Sequence, residues 1–160
     1  MAFHDDLLEQ ARHLANRERK QPRQASLRRA ISSAYYALFH LLIAEGVSKW
    51  KITAQRPRLA RIFEHARMNA ASERVLNVRL FPSTVRDPAA VAHLRRIAAT
   101  FSQLYEYRQT ADYDTATQWS RTQVLALIDA VAEAFKSIKA IRDEPIMNDY
   151  LLSLFLKERR

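Results

Sequence analysis

Gln24-Ala25-Ser26-Leu27-Arg28-Arg29-Ala30-Ile31-Ser32-Ser33-Ala34-Tyr35-Tyr36-Ala37-Leu38-Phe39-His40-Leu41-Leu42-Ile43-Ala44-Glu45 is the stretch that decides the fold. Leu27, Ile31, Ala34, Tyr35, Leu38, Leu41 and Leu42 recur at the three- and four-residue spacing of one helical face. Ala30, Ala37, Phe39 and Ile43 widen that face beyond an ordinary amphipathic stripe. A helix apolar on most sides must be enclosed by others, so this stretch predicts a central helix. Gly46 follows it, at a position where a helix C-cap favours glycine.

Working outward, the spacing of Leu7, Leu8, Ala11, Leu14 and Ala15 predicts a helix over 5–19, with Gln21-Pro22 as a break. Leu59, Ile62, Phe63 and Ala66 predict a third helix over 57–71. Residues 72–87 are less regular, and Pro82-Ser83 suggests a loop. Asp87-Pro88 is an N-cap followed by a first-turn proline, opening a helix that ends near Tyr107 or Arg108. After a short linker over 109–114, Asp114-Thr115 can cap a fifth helix reaching Ile141. Asp143-Glu144-Pro145 ends it, and 146–158 forms a short last helix.

The composition points the same way. The chain has 160 residues, 48% of them hydrophobic, and a single glycine. A sandwich or barrel needs many tight turns, and tight turns need glycine. The expected fold is therefore all-α, one domain over 1–160. There is no cysteine, which excludes a disulfide scaffold, thiolate zinc and a cysteine nucleophile. The N-terminus reads as acidic without a secretory core, and no uninterrupted run reaches the ~18 apolar residues of a membrane span. These features predict a cytoplasmic protein with no membrane partner.

The net charge is +9, and it is unevenly placed. Up to Leu80 there are 15 Lys/Arg against 7 Asp/Glu; beyond it there are 11 against 10. Twenty of the 26 basic residues are arginine, whose planar fork matches phosphate geometry. A polyanion such as RNA is the natural partner of this basic half, through Arg23, Arg28, Arg29, Arg58 and Arg61. A solvated, arginine-rich surface accounts for the same charge equally well.

Two segments carry a resemblance. One is Ser26 to His40, containing Ala34-Tyr35-Tyr36-Ala37-Leu38-Phe39-His40; the other is Arg108-Gln109-Thr110-Ala111-Asp112-Tyr113-Asp114. The pair resembles the HEPN superfamily, in particular its small stand-alone bacterial and archaeal members. The resemblance implies an antiparallel bundle of four to five helices, here with the short C-terminal helix added, and a homodimer. It also implies, for many members, a metal-independent endoribonuclease acting as a toxin or in antiviral defence. Such members often act beside a nucleotidyltransferase-like antitoxin. In active members an arginine and a histidine separated by four to six residues perform the chemistry. The arginine stabilises phosphate charge and the histidine assists the 2′-hydroxyl. Arg108 matches that arginine. No histidine follows, and Asp112 stands at about its place, next to Tyr113. His40 ends the first segment, as a wall of the groove or a hydrogen-bonded core histidine. The other reading of the family is a catalytically silent module that dimerises and binds a partner protein or nucleotide.

Arg58 and His65, and Arg86 and His93, also have six residues between them. With 20 arginines and five histidines such spacings arise by chance, and a structural role is the reading for both. The scattered histidines give no metal-ligand pattern, and one glycine cannot build a phosphate loop, so neither metal nor cofactor is expected.

Overall fold

The structure, a computed structural model, describes residues 1–77 and 87–157. Seven α-helices and no strand occur among the described residues. They are α1 (Phe3–Ala15), α2 (Gln24–Ser48), α3 (Arg56–Ala60), α4 (His65–Leu76), α5 (Pro88–Tyr113), α6 (Arg121–Ile141) and α7 (Pro145–Ser153). A 3₁₀ turn, Thr53–Gln55, precedes α3. The expected loop at Pro82-Ser83 and residue Arg86 lie outside the described residues, as does Glu158, the expected end of the last helix.

The apolar stretch is the centre of the molecule. Leu27, Ile31, Tyr35, Leu38 and Leu42 have no exposed surface. By length and composition α2 alone among the described helices is apolar enough to cross a membrane. Here its apolar sides are taken up by α1, α5 and α6, with α3 and α7 at further contacts. The buried side chains of all the long helices join one core. Each apolar side chain moved out of water there contributes roughly 1.5–3 kcal/mol before entropy is counted.

Several boundaries differ from those the sequence predicts, each for a tertiary reason. The first helix ends at Ala15 rather than 19. The Arg121 guanidinium donates to the carbonyl of Ala15 at 2.9 Å and to that of Glu18, so the chain turns there. Ser26 Oγ then donates to the Glu18 carboxylate at 2.6 Å and holds that carboxyl below the usual range. Gly46 is not a C-cap: α2 runs past it to Ser48. A Cβ there would stand 2.9 Å from Cζ of Phe63, so glycine serves close packing against that ring.

The predicted helix over 57–71 is two helices, α3 and α4, broken at 61–64. The break turns Phe63 into the core against Phe155 and leaves Ile62 46% exposed. It also makes His65 the first residue of α4.

Asp87 caps α5 as the sequence predicts, accepting from Ala89 N–H at 3.0 Å. That helix continues through the expected linker to Tyr113, burying Ala111. The cap of α6 is Ser120, in a reciprocal capping box with Gln123, not Asp114-Thr115. Asp114 instead closes a turn, accepting from Ala116 N–H and Thr117 Oγ1 at 2.9 Å each. Those bonds hold its carboxyl below the usual range.

Arg28 locks this junction onto α2. Its Nη1 donates to the carbonyls of Ala111 (2.8 Å) and Asp114 (2.6 Å), and its Nη2 to that of Thr117 (2.6 Å). One fork therefore collects the orphan acceptors at the end of α5. Arg28→Ala is expected to lower unfolding stability by about 2 kcal/mol in urea titration, since charged hydrogen bonds are lost. Arg28→Lys is expected to recover little of it, because an ammonium cannot span three carbonyls. Arg29→Ala, one residue on and exposed, is expected to stay within about 0.5 kcal/mol of the parent.

Candidate functional site at Arg108

Packing α5 on α2 sets Arg108 over two tyrosines. Its guanidinium carbon lies 5.2 Å from the ring centroid of Tyr35 and 5.7 Å from that of Tyr36. Both are within reach of a cation–π attraction. Nη1 donates to the Tyr36 hydroxyl and to Asp112 Oδ2, each at 3.4 Å. Those are long beside the roughly 2.7–2.9 Å of a strong charge-assisted bond. The Asp112 carboxylate also accepts from Ser32 Oγ at 2.8 Å, so it is shared. Arg108 Nε is buried with no hydrogen-bond partner among the described residues. Its side chain is only 14% exposed. A largely buried cation thus keeps unused hydrogen-bonding capacity, and one stretched carboxylate contact is its only ion pair among the described residues.

A histidine stands beside it, from a third helix. His65 Nδ1 lies 2.8 Å from the hydroxyl of buried Tyr35. Its ring stacks on Phe39 at 4.1 Å between centroids and meets Tyr36 edge-on at 5.8 Å. Burial, then the nearby Arg108 cation and His40, hold its pKa below the ordinary 6.5. The N-terminus of α4 also disfavours a positive charge there. Burial pushes the Tyr35 phenol above its usual range, so its hydroxyl stays protonated. Two tautomers satisfy the bond. With Nδ1–H donating to Tyr35, Nε2 is a free base; with Tyr35 donating, Nε2 carries a neutral N–H.

His40 completes the ring cluster. It lies 6.2 Å from Tyr36 and packs edge-on against Phe39 (5.2 Å) and Phe3 (4.8 Å). Burial and the neighbouring His4 lower its pKa too. Both histidines are neutral at pH 7, against a guanidinium that cannot be.

The residues the sequence singles out are thereby sorted. Arg108 and Asp112 share one face of α5, one turn apart, and His40 adjoins them through Tyr36. Tyr113 is 79% exposed, at the last residue of α5. Arg28 is committed to three backbone carbonyls. Arg23 and Arg29 are exposed at the start of α2. Arg29 lies two turns before Tyr36 and on the same face, about 10 Å along the axis. Arg58 lines a different groove, with Trp50 and Ile62, and exposed Arg61 precedes Ile62 in the chain. His93 bonds Ser137 Oγ at 3.0 Å, tying α5 to α6. No cluster able to hold a metal ion occurs among the described residues.

His65 is the member that sequence reasoning missed. It lies 43 positions before Arg108, and its spacing to Arg58 is unrelated to this contact. No local signal marks it, because the sequence predicts one helix over 57–71 with His65 inside it. Comparison with protein families, curated proteins and solved structures yields no match.

The pH dependence of stability follows from the two neutral histidines. Their folded pKa values lie below 6.5, so the unfolded chain binds protons first as pH falls. Stability is expected to be full above pH 6.5 and to decline as pH drops below it, ahead of the carboxylate range near pH 4. The urea midpoint measured across this range reads the effect, and His65→Gln should flatten it. A midpoint that stays level until the carboxylates titrate overturns the assignment.

Proposed function

We propose that this chain is an HEPN-like, RNA-associated protein, an antiparallel helical bundle acting as a homodimer, whose Arg108 site cleaves RNA without a metal. The observation that carries this reading is the incompletely paired Arg108 cation beside a neutral His65. A phosphodiester supplies the anionic oxygens that a guanidinium fork binds best. His65, or its exchange of protons with Tyr35, supplies the group that takes the 2′-hydroxyl proton. Attack of the 2′-oxygen on phosphorus then expels the 5′-oxygen and leaves a cyclic phosphate, with Arg108 facing the charge that develops. No histidine follows Arg108 in this chain, and in this reading His65 of α4 takes that role. The protonated His65 then returns that proton to the leaving 5′-oxygen, and His40, 6.2 Å from Tyr36, borders the site. Arg29 and Arg23 extend the cationic surface along α2 toward the RNA backbone. A role as a toxin or defence factor fits this activity, with a nucleotidyltransferase-like antitoxin as the protein partner.

A second reading keeps the RNA and drops the turnover. Asp112, placed against Arg108 and bonded to Ser32, braces α5 on α2 as a structural pair does. The chain is then a binding and dimerisation module.

One experiment separates these. End-labelled single-stranded RNA and tRNA are incubated with the protein in excess chelator. Cleavage is expected, with a cyclic phosphate end, reduced about 100-fold or more in Arg108→Ala and in His65→Ala. Tyr113→Phe is expected to cleave as the parent does, since that side chain stands in solvent. Cleavage unchanged in Arg108→Ala, or none by the parent, overturns the nuclease reading. Salt-dependent binding without turnover is the outcome that favours the silent module.

A further inference from the structure

The end of α2 presents a second surface that the Arg108 site does not use. A groove of about 390 Å³ is lined by Gly46, Trp50, Leu59, Leu151, Leu152 and Phe155. A second groove, of about 300 Å³, adjoins it and shares Trp50 and Leu59, continuing to Ile62. Together they make an apolar trough between the end of α2, α3 and α7. Trp50 is 46% exposed, Ile62 46% and Leu152 48%. Large apolar side chains left in water together mark an interaction surface.

The trough is built, not frayed. Arg56 donates from Nε to the carbonyl of Trp50 at 2.9 Å and from Nη2 to that of Ser48 at 3.1 Å. The Trp50 indole N–H donates to Gln55 Oε1 at 2.9 Å. Lys49 Nζ donates to the carbonyl of Arg142 at 3.0 Å, and Arg142 pairs with the buried Glu45 at 2.7 Å. The indole is therefore held outward by a fixed frame. An immobilised aromatic anchor loses little entropy on binding.

The rim is mostly basic. Lys49 and Arg58 line the grooves, and exposed Lys51 and Arg61 neighbour Trp50 and Ile62 in the chain. Among the described residues Lys51, Arg58 and Arg61 have no carboxylate partner, and Asp149 is the one acidic residue lining the trough. A leucine-lined floor with a basic rim complements an amphipathic helix whose apolar stripe is flanked by carboxylates. RNA fits it less well, because nucleic-acid interfaces are more polar than this mostly apolar floor.

We propose that this trough docks an acidic amphipathic helix of a partner protein, with Trp50 and Leu152 as anchors and Lys51 and Arg58 selecting the charge. The inference does not rest on the RNA reading, and its test leaves Arg108 untouched.

The probe is a labelled synthetic helix of about 18 residues, ~27 Å long, with leucine at i, i+3, i+4 and i+7 and glutamate flanking the stripe. Fluorescence anisotropy is expected to show saturable binding to the intact chain. Leu152→Asp, and separately Lys51→Glu with Arg58→Glu, are each expected to weaken it about tenfold or more. Circular dichroism confirms that each variant is folded; both changes lie at exposed positions. A lysine-flanked version of the peptide is expected to bind at least about tenfold more weakly. No binding of the acidic helix overturns the proposal. So does equal binding of the lysine-flanked version, or affinity unchanged in the folded variants. Binding of single-stranded RNA or of anionic phosphatidylserine vesicles that these variants abolish, without peptide binding, assigns the surface elsewhere and also overturns it.

Discussion

A helix that is apolar on nearly every side is stable in water only if every side is covered, and α2 imposes that condition on the whole molecule. Its faces are met by α1, α5 and α6, and its last turns by α3 and α7. Exposing such a stretch would cost on the order of 25 cal/mol for each Å² of apolar surface returned to water. The positions of the other helices are consequences of this enclosure. Gly46 lets Phe63 approach α2 closely, and that approach accompanies the break between α3 and α4.

Enclosure also assembles the Arg108 cluster. Tyr35, Tyr36 and Phe39 bring rings to the α2 surface that faces α4 and α5. Arg108 and His65 are laid on those rings, one from each helix. Rings attract a cation through their faces, and the hydrogen bonds Arg108 makes, to the Tyr36 hydroxyl and Asp112, are both long at 3.4 Å. Arg108 is consequently held by packing more than by pairing, and it keeps capacity for an anionic ligand. The same low-polarity surroundings keep His65 and His40 neutral. One packing arrangement thus sets both the guanidinium and the neutral imidazole.

Polar residues at the periphery fix the frame around this centre. Arg28 gathers the end of α5, and Arg121 turns the chain after α1. Arg56 holds the Trp50 connection. Three arginines thus act as multi-carbonyl clamps. Part of the high basic charge is therefore structural, which charge counting along the sequence cannot separate from a polyanion surface.

The all-helical class, the central place of α2 and the Asp87 cap were legible in the sequence, whereas the Arg108–Asp112 pair on one helical face required α5 to run through the expected linker. The first three depend on the glycine count, on periodicity and on spacings within one helix, all of which are local. The ends of α1 and α5, the split into α3 and α4, the role of Gly46 and the arrival of His65 were not. Each depends on a contact between residues distant in the chain: Arg121 with Ala15, Arg28 with Ala111, Phe63 with Gly46, and His65 with Tyr35. Local pattern determines which stretches are helical and which side they bury. Only packing decides where a helix stops and which side chains from different helices meet, because those outcomes depend on the balance of burial and hydrogen bonding in three dimensions.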